Sequence, residues 1–131
     1  MDMSVPWLSV GVDLVEIGRV EKLLRRYGWR FTQRVYTSNE LQDCGSRVES
    51  LAARWAGKEA VAKALGTGIG QVCFKDIEIT QLAEGKPQIR LFGMAERMAQ
   101  EMGLTSWAIS LSHDGGLALA FVVAARSTPS P

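Results

Sequence analysis

Arg54, Lys58, Glu59 and Lys63 fall within Arg-Trp-Ala-Gly-Lys-Glu-Ala-Val-Ala-Lys-Ala-Leu-Gly-Thr-Gly (residues 54–68), one carboxylate among cations on an alanine-rich run that reads as a helix. Charged groups are costly to bury unless paired or bound to a ligand. Ala52, Ala53, Ala56, Ala60, Ala62 and Ala64 imply close packing on several sides of that helix. A closely packed helix that keeps a carboxylate between cations suits a metal–phosphate ligand. A plain helical salt bridge is the alternative, since Glu59 and Lys63 stand four apart in the favourable order. Arg54 and Lys58 are also four apart but alike in charge, which does not help a helix.

Asp13 is the second carboxylate of interest. It interrupts an apolar strand, where aspartate is disfavoured. Alone it reads as a turn or cap residue; beside Glu59 it would complete a pair of hard oxygen ligands. Mg²⁺ is commonly held by one or two carboxylates, with water and substrate phosphates filling the octahedron. His113 follows Ser110 and Ser112 at the mouth of a hairpin. It reads either as a structural histidine or as a donor to a phosphate or base. Gly66-Thr67-Gly68-Ile69-Gly70 is not a P-loop, because a P-loop's glycines precede their helix and these follow it. Arg19, Lys22 and Arg26 make a basic stripe at helical spacing. That stripe is a solvated face or a docking strip for an acidic partner protein, which would act on orientation and association rate.

The elements that must position these residues follow from periodicity. Residues 7–15 predict a first strand carrying Asp13. Ile17, Val20, Leu23, Leu24 and Tyr27 recur at helical spacing, and Gly28 is a stop. Thr37 and Glu40 predict a capping box, and Ser46–Ser50 leads into the long charged helix, which the glycines at 66, 68 and 70 end. A strand is expected over 72–80 with a bulge where the alternation changes phase. A short strand at 88–92 follows the turn Gly85-Lys86-Pro87. Ala95, Met98, Ala99 and Met102 form a helical stripe closed by Gly103. Residues 106–112 alternate as a strand, and Asp114-Gly115-Gly116 turns into the strand Leu117–Ala124. The expected class is α+β, one domain over 1–125, with a partly antiparallel sheet packed against a long helix. Residues 126–131 read as a disordered tail.

Composition excludes several functions. With 131 residues, 47% hydrophobic and 22% charged, the chain has the make-up of a single globular domain with its own core. A formal net charge of +1 gives no global field for nucleic acid. Cys44 and Cys73 lack metal-ligand spacing and have one histidine for company, which argues against structural zinc. They read as reduced thiols, although a single disulfide is the alternative. No signal peptide is evident, and no apolar run reaches the ~20 residues of a membrane span. A cytoplasmic protein without membrane partners is expected.

Taken in order, these segments resemble the holo-acyl-carrier-protein synthase family, the small class of 4′-phosphopantetheinyl transferases. The likeness rests on Gly11-Val12-Asp13-Leu14 with Glu16, Ile17 and Arg19, on Phe31, Arg34, Thr37 and Glu40, and on Arg54 to Gly68. It continues through Asp76-Ile77-Glu78-Ile79, Gly85-Lys86-Pro87 and Ser110-Leu111-Ser112-His113. The resemblance implies transfer of phosphopantetheine from coenzyme A to a serine of apo-acyl carrier protein, in fatty acid biosynthesis, releasing adenosine 3′,5′-bisphosphate. It implies Asp13 and Glu59 as magnesium ligands and Lys63 as a catalytic cation. Glu59, or a water held by it or by the metal, is implied as the base. Arg54, Lys58, Lys63, Gly66, Thr67, Gly68, Ser112 and His113 are implied to hold the phosphates and adenine of coenzyme A. Arg19, with Lys22 and Arg26 on its helix, is implied to meet the acyl carrier protein. The chain length corresponds to one half of the family's larger class, which implies a homotrimer with sites between subunits. Two other functions fit part of the pattern: a non-catalytic module that docks acyl carrier proteins, and a transferase serving megasynthase carrier domains.

Overall fold

The structure, a computed structural model, describes residues 8–126. β1 (Leu8–Glu16) runs directly into α1 (Ile17–Tyr27), α2 (Trp29–Val35), α3 (Ser38–Cys44) and α4 (Val48–Ala64). A 3-10 turn (Phe74–Asp76) then leads to β2 (Ile77–Gln81), β3 (Pro87–Leu91), α5 (Gly93–Met102), β4 (Leu104–Asp114) and β5 (Leu117–Arg126). Gly28, at φ +54, lets α1 stop and α2 start within one residue. The expected capping box opens α3: the Thr37 hydroxyl accepts from Glu40 N, and the Glu40 carboxylate accepts from Thr37 N at 2.9 Å.

The α+β expectation holds, with antiparallel pairing throughout the described strands. One sheet has the order β1-β5-β4, and a second pairs β2 with β3. β5 is central, so Asp13 lies opposite Ala120, which in turn lies opposite Leu111. Gly115 and Gly116, at φ +57 and +81, form the two-residue hairpin loop between β4 and β5. One face of this sheet, carrying Ala118, Ala120, Val122 and Ala124, packs on α4. The other face leaves Leu8, Val10, Val12, Leu14, Leu117, Leu119 and Phe121 exposed.

α4 is the centre of the molecule, in contact with β1, β2, β4 and β5 as well as α1 and α3. Its alanines and Gly57 make that possible. A Cβ on Gly57 would sit 2.4 Å from Ile79 Cδ1. A Cβ on Gly11 of β1 would sit 1.8 Å from the Ala60 carbonyl oxygen, so helix and strand backbones meet there directly.

Three expectations need correction. The phase change between Phe74 and Ile77 is the 3-10 turn Phe74–Asp76, with Asp76 accepting from Cys73 N, and β2 begins only at Ile77; no strand covers 72–76 and no bulge is needed. The last strand runs to Arg126, opposite Leu104, so Arg126 belongs to the sheet and not to a tail. β4 likewise begins at Leu104, with a register irregularity between Leu104 and Ser106. The expected tail beyond Arg126, like Met1–Pro6, lies outside the described residues.

Gly11→Ala should destabilise the protein by about 3 kcal/mol, because β1 must lift off α4 to admit the methyl. Gly18→Ala in α1, where nothing lies within 4 Å of the added methyl, should be neutral or stabilise by up to about 1 kcal/mol. Urea unfolding midpoints compare the two; equal midpoints would refute the close approach.

Candidate functional site

Successive residues of an α-helix point about 100° apart, so Lys58 and Glu59 look out from adjoining faces of α4. The charged run therefore divides. Arg54 and Lys58 turn toward α3 and β2; Glu59 and Lys63 turn toward β1 and α1.

On the second face, Lys63 Nζ donates to Asp13 Oδ1 at 3.1 Å and to the Val12 carbonyl at 3.0 Å. The helical Glu59–Lys63 bridge considered from sequence is thus replaced by a bridge across to β1. The Asp13 side chain is 18% exposed and that of Lys63 52%. Burial pushes the Glu59 carboxyl above its ordinary value, and the nearby Asp13 charge pushes it further; Lys63 and Arg19 pull it back. Asp13, Glu59, Lys63 and Arg19 therefore form one electrostatic unit. Arg19 was expected in partner docking alone, yet its guanidinium also lies 6.0 Å from the Trp55 ring centre, one helical turn before Glu59. Lys22 and Arg26 are exposed on α1, as a docking strip requires.

On the first face, Lys58 Nζ lies 2.7 Å from Glu40 Oε1, with both side chains fully buried. It also donates to the carbonyls of Phe74, at 2.9 Å, and Ile77. Burial pulls this ammonium below its ordinary value, opposed by Glu40. All three of its protons are committed inside the protein, so the expectation that Lys58 holds a coenzyme A phosphate is corrected: Lys58 is a core cation. Arg54 shares its face, buried beside Tyr36 and Cys44, and its Nε has no hydrogen-bond partner. The structure thus separates Arg54 from Glu59 as well.

The glycine run follows α4 directly. Gly66 adopts φ +80, and the Thr67 hydroxyl bonds the Gln71 side chain at 2.6 Å. Ser112 and His113, both exposed, point to opposite faces of β4. Ser112 pairs with Leu119 on the exposed apolar face, whereas His113 continues the helix-side series Trp107, Ile109, Leu111. His113 thus does not stand beside the serine hydroxyls of its own chain.

Sequence reasoning missed a groove of about 660 Å³ beside this cluster. Tyr27, Trp29, Phe31, Trp55 and Phe74 line it, with Arg30 and Arg34 among them. Phe31 stacks on Trp55 at 5.5 Å and Trp55 meets Phe74 at 5.0 Å. The signal was available in Trp29 and Trp55, but their convergence depends on the α1–α2 turn at Gly28.

The raised carboxyl sets a sign for stability. A folded-state value above the unfolded one stabilises fully below the unfolded pKa, about 4.3 for Glu, and is lost as pH rises through the folded value. Glu59→Gln should therefore raise the urea midpoint at pH 7, with the gap over wild type closing as pH falls toward about 4. A variant less stable than wild type at pH 7 would contradict the burial of the Glu59 charge and its repulsion by Asp13.

Comparison with known proteins agrees with this geometry. Residues 9–122 match the 4′-phosphopantetheinyl transferase superfamily. A holo-[acyl-carrier-protein] synthase of Herpetosiphon aurantiacus is 48% identical over 123 residues, covering 88% of this chain and 97% of its own. One from Gloeobacter violaceus is 47% identical over 117 residues, covering 86% and 89%. Among solved structures, the Helicobacter pylori holo-[acyl-carrier-protein] synthase in complex with coenzyme A superposes with a TM-score of 0.81 at 35% identity, covering 88% of this chain and 99% of the other. The Neisseria meningitidis enzyme gives 0.80 at 39% identity, covering 90% and 98%. With a matching domain over nearly its whole described length and close relatives of equal extent, the chain belongs to the 4′-phosphopantetheinyl transferase superfamily.

Proposed function

We infer that this protein transfers the 4′-phosphopantetheine group of coenzyme A to a serine of apo-acyl carrier protein, releasing adenosine 3′,5′-bisphosphate. The observation that carries this reading is the convergence of Asp13, Glu59, Lys63 and Arg19 from β1, α4 and α1 onto one partly exposed spot. The named activity of the relatives and the coenzyme A complex of a structural neighbour support it.

The residues fit a magnesium ion of a particular kind. Among the described residues, no group of three or more His, Cys, Asp or Glu side chains could hold a metal by itself. Two neighbouring carboxylates suit Mg²⁺, which retains water and takes substrate phosphates as ligands. Asp13 and Glu59 would hold it, and it would supply charge neutralisation on the pyrophosphate oxygens. Lys63 adds a compact positive charge for the leaving phosphates. Glu59, raised above an ordinary glutamate, is better matched to accept the serine proton near neutral pH, directly or through a water. Gly66, Thr67, Gly68, Ser112 and His113 are the further residues proposed for the phosphates and adenine of coenzyme A. Lys22 and Arg26, with Arg19, orient the acidic carrier protein, and the aromatic groove beside them widens the docking surface. The two free thiols, Cys44 and Cys73, suit a cytoplasmic setting. No helix among the described residues is long and apolar enough to cross a membrane.

Self-association completes the site. The outer face of β1 and β5 exposes a contiguous apolar surface on which Val12 lies opposite Phe121 and Leu14 opposite Leu119. Such a face fits a closed assembly of identical chains, which the family resemblance implies is a trimer. Ser112 borders that face through Leu119, while His113 does not, as expected if a coenzyme A pocket draws on two chains.

Mass spectrometry of an apo-acyl carrier protein incubated with coenzyme A should show a Mg²⁺-dependent gain of one phosphopantetheine. Asp13→Ala and Glu59→Ala should abolish it with the fold intact by circular dichroism; full activity in both would falsify the metal assignment. Sedimentation equilibrium should give a trimer for the wild type and a monomer for the double variant V12D/F121D, with transfer lost in the latter. An active wild-type monomer would overturn the shared site.

A further inference from the structure

α4 packs against its neighbours largely through Ala52, Ala53, Ala56, Ala60, Ala62 and Ala64. Methyl groups give non-directional contacts, so beyond the close fits at Gly11 and Gly57 the alanines add little that fixes the rotation of the helix. Directional groups must set its register. On its inner face the directional contacts are the Leu51 carbonyl, which accepts from the Tyr36 hydroxyl at 2.7 Å, and Lys58, which reaches Glu40 of α3. The Lys58 ammonium uses three protons on Glu40, Phe74 O and Ile77 O, which come from α3, the 3-10 turn and β2. Glu40 in turn accepts from Thr37 N at 2.9 Å and from Ile79 N at 2.8 Å. A shift of α4 by one residue, about 1.5 Å and 100°, would strand a buried cation and a buried carboxylate.

We propose that the buried Glu40–Lys58 pair is a positioning device for catalysis, setting the register of α4 so that Glu59, the residue after Lys58, meets Asp13 of β1. The pair touches neither substrate nor metal and acts only through Glu59. This rests on the reading of Asp13 and Glu59 as metal ligands. A merely structural pair would affect stability alone; a positioning pair must also alter metal binding in protein that is still folded.

The double variant E40Q/K58M keeps the volumes and removes both charges. Mn²⁺ binding in the presence of coenzyme A, followed by electron paramagnetic resonance, is the readout, alongside kcat and the KM for coenzyme A. Below its melting transition, the double variant should show a Mn²⁺ dissociation constant raised about tenfold, as when a group supporting a metal ligand is lost. Its kcat should fall by a similar factor, while KM for coenzyme A should move less than about threefold. Glu40→Asp keeps both charges but shortens one arm by a methylene, so it tests the same point if the double variant does not fold. It should raise the Mn²⁺ constant several-fold. Wild-type Mn²⁺ affinity and kcat in either folded variant overturn the positioning role. Asp13→Ala and Glu59→Ala serve as the separate control. If they retain Mn²⁺ the metal reading itself fails; if they lose it while folded E40Q/K58M binds normally, only the positioning role fails.

Discussion

A lysine ammonium sealed inside the protein governs this structure. Taking Lys58 and Glu40 out of water costs several kcal/mol for each ion, and only good geometry with every remaining proton and lone pair occupied offsets it. The surrounding chain meets that requirement from three directions. α3 presents Glu40 through its capping box, the 3-10 turn presents the Phe74 carbonyl, and β2 presents the Ile77 carbonyl and the Ile79 amide. α3 also covers the free edge of β2, with Glu40 and Asp43 accepting from Ile79 N and Gln81 N. Glu78, buried in the same strand, accepts from Thr37 and Asn39. One ion pair thereby ties α3, α4 and β2 into a single body, and the close approach of Gly11 to Ala60 adds β1 to it.

Chemistry lies on the other side of that body. Two periodicities divide structural from functional residues here. Along α4, a step of about 100° separates core Lys58 from Glu59 at the site. Along β1, a step of two keeps Asp13 on the helix side while Val12 and Leu14 face outward. The carboxylates are brought together despite their repulsion; burial first and the Asp13 charge second raise the Glu59 carboxyl, and Lys63 and Arg19 only partly offset them. A site that stores such repulsion in its resting state has a built-in affinity for positive charge.

Local signals were legible in the chain, and tertiary ones were not. The stop at Gly28, the Thr37–Glu40 cap, the strand bearing Asp13 and the hairpin at Gly115-Gly116 all follow from neighbours in sequence, and the structure contains each. The pairing of Asp13 with the Glu59–Lys63 face was also legible, because carboxylates in apolar surroundings call for partners. Lys58 was not legible as a core cation, since alanines on every side gave α4 no apolar phase and left nothing to show which cation faced inward. The partner of Lys58 lies on another helix, joined to it only by folding. The turn at Phe74–Asp76 was hidden because a 3-10 turn and a bulge shift alternation alike. Ser112 and His113 are adjacent in sequence, and strand geometry parted them.

The register of β1 against β5 has a consequence for biosynthesis. Leu8 pairs with Ala125 and Glu16 with Leu117, so the first described strand finds its only sheet partner in the last. As the chain leaves the ribosome, β1 emerges apolar on its outer side and must wait for its partner until β5 has been made. α4, translated midway, is the earliest surface able to shelter its inner side, through Gly11. Folding is consequently late and long-range, of the slow kind set by distant contacts. Until β5 arrives, the strand that carries Asp13 keeps unpaired edges of the kind that invite aggregation.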